Sequence, residues 1–195
     1  MGKRAWRVNP LILLFTVIML CTDQSGIILA TVLAAGIHEI GHLVAAWAMR
    51  IPLGGLRWGT LGMRLEVKGR ILSYGEEWLL CAAGPLASLL AAAVGALWWE
   101  EAEIARLFSC ASLILGILNL LPIRSFDGGR MLACCMARLG ATRLTEDLLR
   151  VVSVLFLCLL WATAVYFLLR TGSGLSLFCF SLSLFYRFFE EIEVL

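Results

Sequence analysis

Apolar runs near 20 residues long recur along this chain, and they constrain its fold more than any other feature. About 20 residues of α-helix cross the hydrocarbon core of a bilayer. Stretches at about residues 8–21, 27–49, 78–99, 104–121, 151–169 and 175–189 read as such helices. The first is short and follows Lys3, Arg4 and Arg7, in the manner of a signal peptide. The residues after it, Thr22 to Gly26, read as a turn rather than a cleavage site, so it is taken as a retained span. Composition agrees: 61% of the 195 residues are hydrophobic and 15% charged, where a soluble domain has about half and about a quarter. The fold class expected is an all-α polytopic membrane protein with about six transmembrane helices.

Charge sets the expected orientation. Six spans place both termini on one side. Of the 16 lysines and arginines, only Arg106 and Arg170 then fall on the opposite, outer side. The positive-inside rule makes the richer side cytosolic, with both termini. Two connections exceed turns. Residues 50–77 are rich in glycine and basic residues, and Arg64 to Lys68 alternate polar with apolar, the period of a strand. They read as a small β-hairpin or sheet at the cytosolic membrane face. Residues 123–150 open on an Asp-Gly-Gly turn and continue as an amphipathic helical segment.

One transmembrane domain over residues 1–195 is expected. No connection is long enough for a PDZ module, and the few residues after the last span leave no room for a nucleotide-sensing domain. No basic patch points to nucleic acid. The seven cysteines form no C-x-x-C pair and read as small hydrophobes in membrane helices. Cys21 and Cys110 both fall toward the outer face, where a disulfide between them is conceivable.

The chain has two histidines, His38 and His42, in the segment His-Glu-Ile-Gly-His midway along the second span. Four apart on a helix, both imidazoles share one face and can grip one metal ion. Glu39 between them needs no metal bond and suits a general base toward an activated water. Ionisable residues at this depth are costly and point to function. The plain alternative is two helix-packing histidines with a glutamate paired to one of them.

A catalytic zinc site needs a third protein ligand and an open position. Glu66, Glu76 and Glu77 lie in the first long connection, and Glu100, Glu101 and Glu103 on the outer side. Asp127, in Phe-Asp-Gly-Gly, is the strongest candidate, because glycines let the backbone turn tightly. Alone it would read as an ordinary turn aspartate.

With HEIGH at 38–42, the stretch Asn119-Leu-Leu-Pro122-Ile-Arg-Ser-Phe-Asp127-Gly128 matches N-x-x-P-x-x-x-x-D-G at every fixed position. The chain thus resembles the site-2 protease family of intramembrane metalloproteases over roughly residues 27–130. Its layout is similar to the sporulation-factor-processing branch. Gly84-Pro85 resembles the family's Gly-Pro element, although Ser88 stands where asparagine is frequent, a departure that weakens any hydrogen-bonding role there.

The resemblance implies that His38, His42 and Asp127 bind zinc and that Glu39 activates water. It implies that Asn119 holds the substrate backbone or the oxyanion, against the plain reading of a buried amide linking helices. Pro85 would open its helix toward a water-filled cavity. The partners implied are the lipid bilayer, a membrane-protein substrate and regulatory membrane proteins, with no nucleic acid. An extended substrate would pair with an edge strand in residues 50–77, unless that loop only covers the site. The expected function is hydrolysis of peptide bonds in membrane-embedded or membrane-associated proteins, within regulated proteolysis. The competing readings are a membrane metal transporter or sensor and an inactive scaffold relative.

Overall fold

The computed structural model describes residues 7–8, 17, 21, 23, 25–59, 62–67, 71–124, 126–171, 178 and 181–182. The chain divides into two compact units, Met1–Leu120 and Leu121–Leu195. In the first, helices α1 (Ile27–Ala48), α2 (Tyr74–Ala96) and α3 (Glu103–Leu120) pack in all three pairs. Strand β1 (Arg7–Val8) runs parallel to β2 (Leu53–Gly59), which pairs antiparallel with β3 (Gly62–Val67). The β2–β3 register sets Leu56 opposite Leu65 and Arg57 opposite Arg64. In the second unit, α4 (Asp127–Arg138) packs on α5 (Thr142–Thr171).

Four helical stretches among the described residues are long and apolar enough to cross a membrane: Ile27–Ala48, Tyr74–Ala96, Glu103–Leu120 and Arg143–Arg170. The protein is thus a multi-pass membrane protein. The expected spans at residues 8–21 and 175–189 lie almost wholly outside the described residues.

Packing is inside-out relative to a soluble bundle. On α2, Gly84, Ser88, Ala92 and Gly95 are buried while Leu86, Leu90 and Val94 are exposed. On α3, Ser109, Ser112 and Gly116 are buried while Leu113, Ile114 and Ile117 are exposed. Lipid solvates large aliphatic side chains as well as a protein core does. Helix contact therefore rests on small residues that let backbones approach and on interhelical hydrogen bonds. The Ser109 hydroxyl supplies one such bond, donating to the Ala92 carbonyl at 2.7 Å.

The helix ends are set locally. Before α1, the Asp23 carboxylate accepts the Ile28 amide (2.7 Å) and the Ser25 amide (3.0 Å). The Ser25 hydroxyl, donating to Asp23 at 2.6 Å, holds that carboxyl below the usual carboxylate range, with the backbone bonds acting the same way. At the other end Arg50 has φ 53°, a left-handed conformation that glycine adopts more cheaply. The amide of Ile51 donates to the Ala46 carbonyl (2.9 Å) and that of Arg50 to Trp47 (3.0 Å), closing the helix in a Schellman motif. Ala46, Ile51 and Leu80 then pack as one buried cluster. A capping box begins α2: Ser73 accepts the Glu76 amide and Glu76 accepts the Ser73 amide. The helix therefore starts at Tyr74, a turn before the position near Trp78 that hydropathy alone suggests. It runs unbroken through Pro85, which is buried, rather than opening there. Asp-Gly-Gly is likewise the first turn of α4 and not a separate turn.

Candidate metal and catalytic site

His38 and His42 lie one turn apart on the side of α1 that meets α2. Their rings are close to perpendicular, with centroids 4.9 Å apart. Each ring has one nitrogen held and the other aimed at a shared point. His42 Nδ1 donates to the Leu80 carbonyl of α2 at 2.8 Å. A carbonyl only accepts, so Nδ1 carries the proton and a neutral ring keeps its lone pair on Nε2. His38 Nδ1 is 2.9 Å from the Ser88 hydroxyl. The two Nε2 atoms stand 3.2 Å apart. Two imidazole nitrogens on one zinc ion, at about 2.0–2.1 Å and a tetrahedral angle, would be roughly 3.3 Å apart. The donor set and spacing of this pair fit that ion.

Two glycines make room for the pair. A Cβ on Gly84 would stand 2.2 Å from His42 Nε2, inside the ring's own space. A Cβ on Gly41 would stand 2.6 Å from the Ala83 carbonyl oxygen and 2.6 Å from Ala87 Cβ. Gly41 thus brings α1 close enough to α2 for the rings to reach their partners. Glu39 lies next to His38 on α1 and is half-buried. Asn119 sits in the last turn of α3, where its amide donates to the Leu115 carbonyl at 3.0 Å. Glu76 is engaged at the α2 cap, and Glu100, Glu101 and Glu103 are exposed.

In the second unit Asp127 is the first residue of α4, half-buried, where the helix dipole favours negative charge. The chain before it is tied down at several points. The Arg124 amide donates to the buried Ser153 hydroxyl of α5 at 3.0 Å, and the Phe126 amide donates to the Ile123 carbonyl at 2.9 Å. A Cβ on Gly129 would stand 2.0 Å from the Ile123 carbonyl oxygen. The second glycine of the motif is therefore required by the loop folding back on its own helix.

Sequence reasoning finds both histidines from their spacing. It does not find Ser153, and it discounts Ser88. Nothing local distinguishes a serine that holds a ligand from one that merely eases helix packing. The partner of His42 is a backbone carbonyl and carries no side-chain signal at all.

Residues 99–163 match the model of peptidase family M50. The fold is similar to that of the site-2 protease from Methanocaldococcus jannaschii, with a TM-score of 0.66 at 16% sequence identity. The match covers 98% of this chain and 95% of that one. No curated protein matches the chain.

Proposed function

We propose that this chain is a metalloprotease of the site-2 protease family that uses zinc to hydrolyse peptide bonds of membrane-embedded or membrane-associated proteins, a reading that the family-model match and the shared fold support. The observation that carries the reading is the convergence of two histidine Nε2 atoms at 3.2 Å, each ring anchored through its Nδ1. His38 and His42 would supply two ligands to the ion and Asp127 a third. The N-x-x-P-x-x-x-x-D-G stretch and the tied-down start of α4 support Asp127 in that role.

A zinc ion bound by these residues would supply Lewis-acid chemistry, toward a scissile carbonyl and toward water. Glu39 takes the proton of the attacking water and returns it to the departing amide nitrogen. Asn119 spends one amide hydrogen on Leu115. Its second hydrogen serves the substrate backbone or the oxyanion.

The finer reading is a single protease domain over residues 1–195, with six spans and cytosolic termini. Its substrates are membrane proteins and its regulators are membrane partners. The strand order leaves β3 at one edge of the sheet among the described residues, which supports pairing with an unwound, extended substrate.

The test compares wild type with Glu39→Gln on a membrane-protein substrate in reconstituted lipid. Glu39→Gln keeps its zinc and loses about 10²-fold or more of the cleavage rate, as expected on removal of a general base. Equal cleavage by the two proteins would sink the mechanism. Asp127→Ala weakens zinc binding, and full zinc affinity in that variant would remove Asp127 from the ligand set.

A further inference from the structure

We infer that Ser88 is a positioning residue of the metal centre: its hydroxyl oxygen accepts the Nδ1–H of His38 and so fixes the ring with its Nε2 lone pair toward the ion. The inference rests on the metal-site reading above and extends it to a residue that neither ligates nor touches substrate.

Three observations carry it. Ser88 Oγ is 2.9 Å from His38 Nδ1, while Nε2 of the same ring faces the other histidine. A ring that ligates through Nε2 carries its proton on Nδ1, and a metal-bound histidine almost always donates that proton to an oxygen acceptor. Ser88 is also fully buried, at 0% exposure, and His38 is at 6%. Solvent has no ready route to replace the hydroxyl if it is removed. Finally, the hydroxyl's position is enforced from behind. A Cβ on Gly116 of α3 would come within 3.2 Å of Ser88 Cβ, so α3 packs close against the serine and leaves it little room to move away from His38.

The two histidines divide the same task between unlike partners. His42 uses the Leu80 carbonyl, which accepts and cannot donate. His38 uses a hydroxyl, which can do either. Zinc on Nε2 selects the accepting role for Ser88.

The experiment uses the full chain in lipid nanodiscs, stripped of metal and titrated with zinc against a chromophoric chelator. Ser88→Ala should bind zinc roughly 10–100-fold more weakly. Ser109→Ala removes another buried serine hydroxyl from the same α2–α3 interface, the one bonded to Ala92. It should bind zinc as wild type does, which separates positioning from loss of helix packing. Cobalt loaded to saturation should give a shifted visible spectrum in Ser88→Ala and an unshifted one in Ser109→Ala.

A second measurement needs no variant. The chain has only two histidines, so ¹⁵N-histidine labelling reports just four ring nitrogens. In zinc-loaded wild type both Nδ1 atoms should be protonated and both Nε2 atoms metal-bound. Wild-type zinc affinity in Ser88→Ala, equal losses in Ser88→Ala and Ser109→Ala, or a His38 ligating through Nδ1 would each overturn the inference while leaving the metal site standing. Failure of wild type to bind zinc would overturn both.

Discussion

In the first unit His38 and His42 stand on a continuous helix, and their rings are trapped from the side by α2. In the second, Asp127 stands where a loop becomes a helix, and its backbone is tied to its own neighbours. The histidines are thus set by clearance between two helices. Gly41 and Gly84 make that clearance, and one added carbon closes it. The segment that leads into the aspartate is held by hydrogen bonds, from the Arg124 amide to Ser153 and from the Phe126 amide to Ile123. A site of the first kind should fail abruptly when its space is filled. A site of the second kind should loosen by degrees as its ties are cut.

The sharpest way to break that contrast is Gly84→Ala. Its new Cβ would fall 2.2 Å from His42 Nε2, and the ring cannot retreat without straining its bond to the Leu80 carbonyl. Zinc stoichiometry and proteolysis should fall nearly to zero. The loss of fold stability should stay within the usual cost of overpacking, about 1–3 kcal/mol. Metal analysis and a thermal melt of the same preparation read both quantities. Full zinc occupancy in Gly84→Ala would mean that His42 is not held by clearance.

Ser153→Ala probes the other kind of site and should do less. It leaves the part-buried Arg124 amide without its acceptor, which costs about 1 kcal/mol. The loop before Asp127 should then wander without being blocked. Zinc affinity is expected to drop on the order of tenfold, the lower end for supporting groups of a metal site, with the melting temperature falling alongside. An unchanged affinity beside a lowered melting temperature would show that the start of α4 alone aims the carboxylate.

The same contrast explains what was legible in advance. A histidine pair at i, i+4 in an apolar run is periodic, local and rare, so it stands out in the residues themselves. Gly84 was visible only as part of a resemblance, because the atom that needs its missing side chain lies on another helix. Ser88 misled for a related reason. It replaces an expected amide, and only the packing of three helices shows that its hydroxyl reaches His38. The start of α2 was different. Ser73-x-x-Glu76 is a local capping signature open to direct reading, and hydropathy overshadowed it. The glycines after Asp127 suggested a turn because glycine usually marks one. Here they begin a helix, and Gly129 answers a close backbone approach that no local pattern encodes.

Ser112→Ala should have the smallest effect and the opposite sign. Five serines are buried among the described residues: Ser88, Ser109, Ser112, Ser153 and Ser181. Four of their hydroxyls have partners, in His38, Ala92, Arg124 and Phe178. Ser112 Oγ is the buried side-chain polar atom among the described residues that lacks one. A hydroxyl held away from water without a bond is a net cost, and small residues at this interface serve chiefly to let α2 and α3 approach. Alanine keeps that close approach and removes the orphaned oxygen. The variant should melt slightly higher, by the equivalent of about 1 kcal/mol, with zinc affinity unchanged. A lower melting temperature with unchanged zinc would give the hydroxyl a purely structural bond. A drop in zinc affinity would place Ser112 with Ser88, in the support of His38, and would extend the clearance-built site from two helices to three.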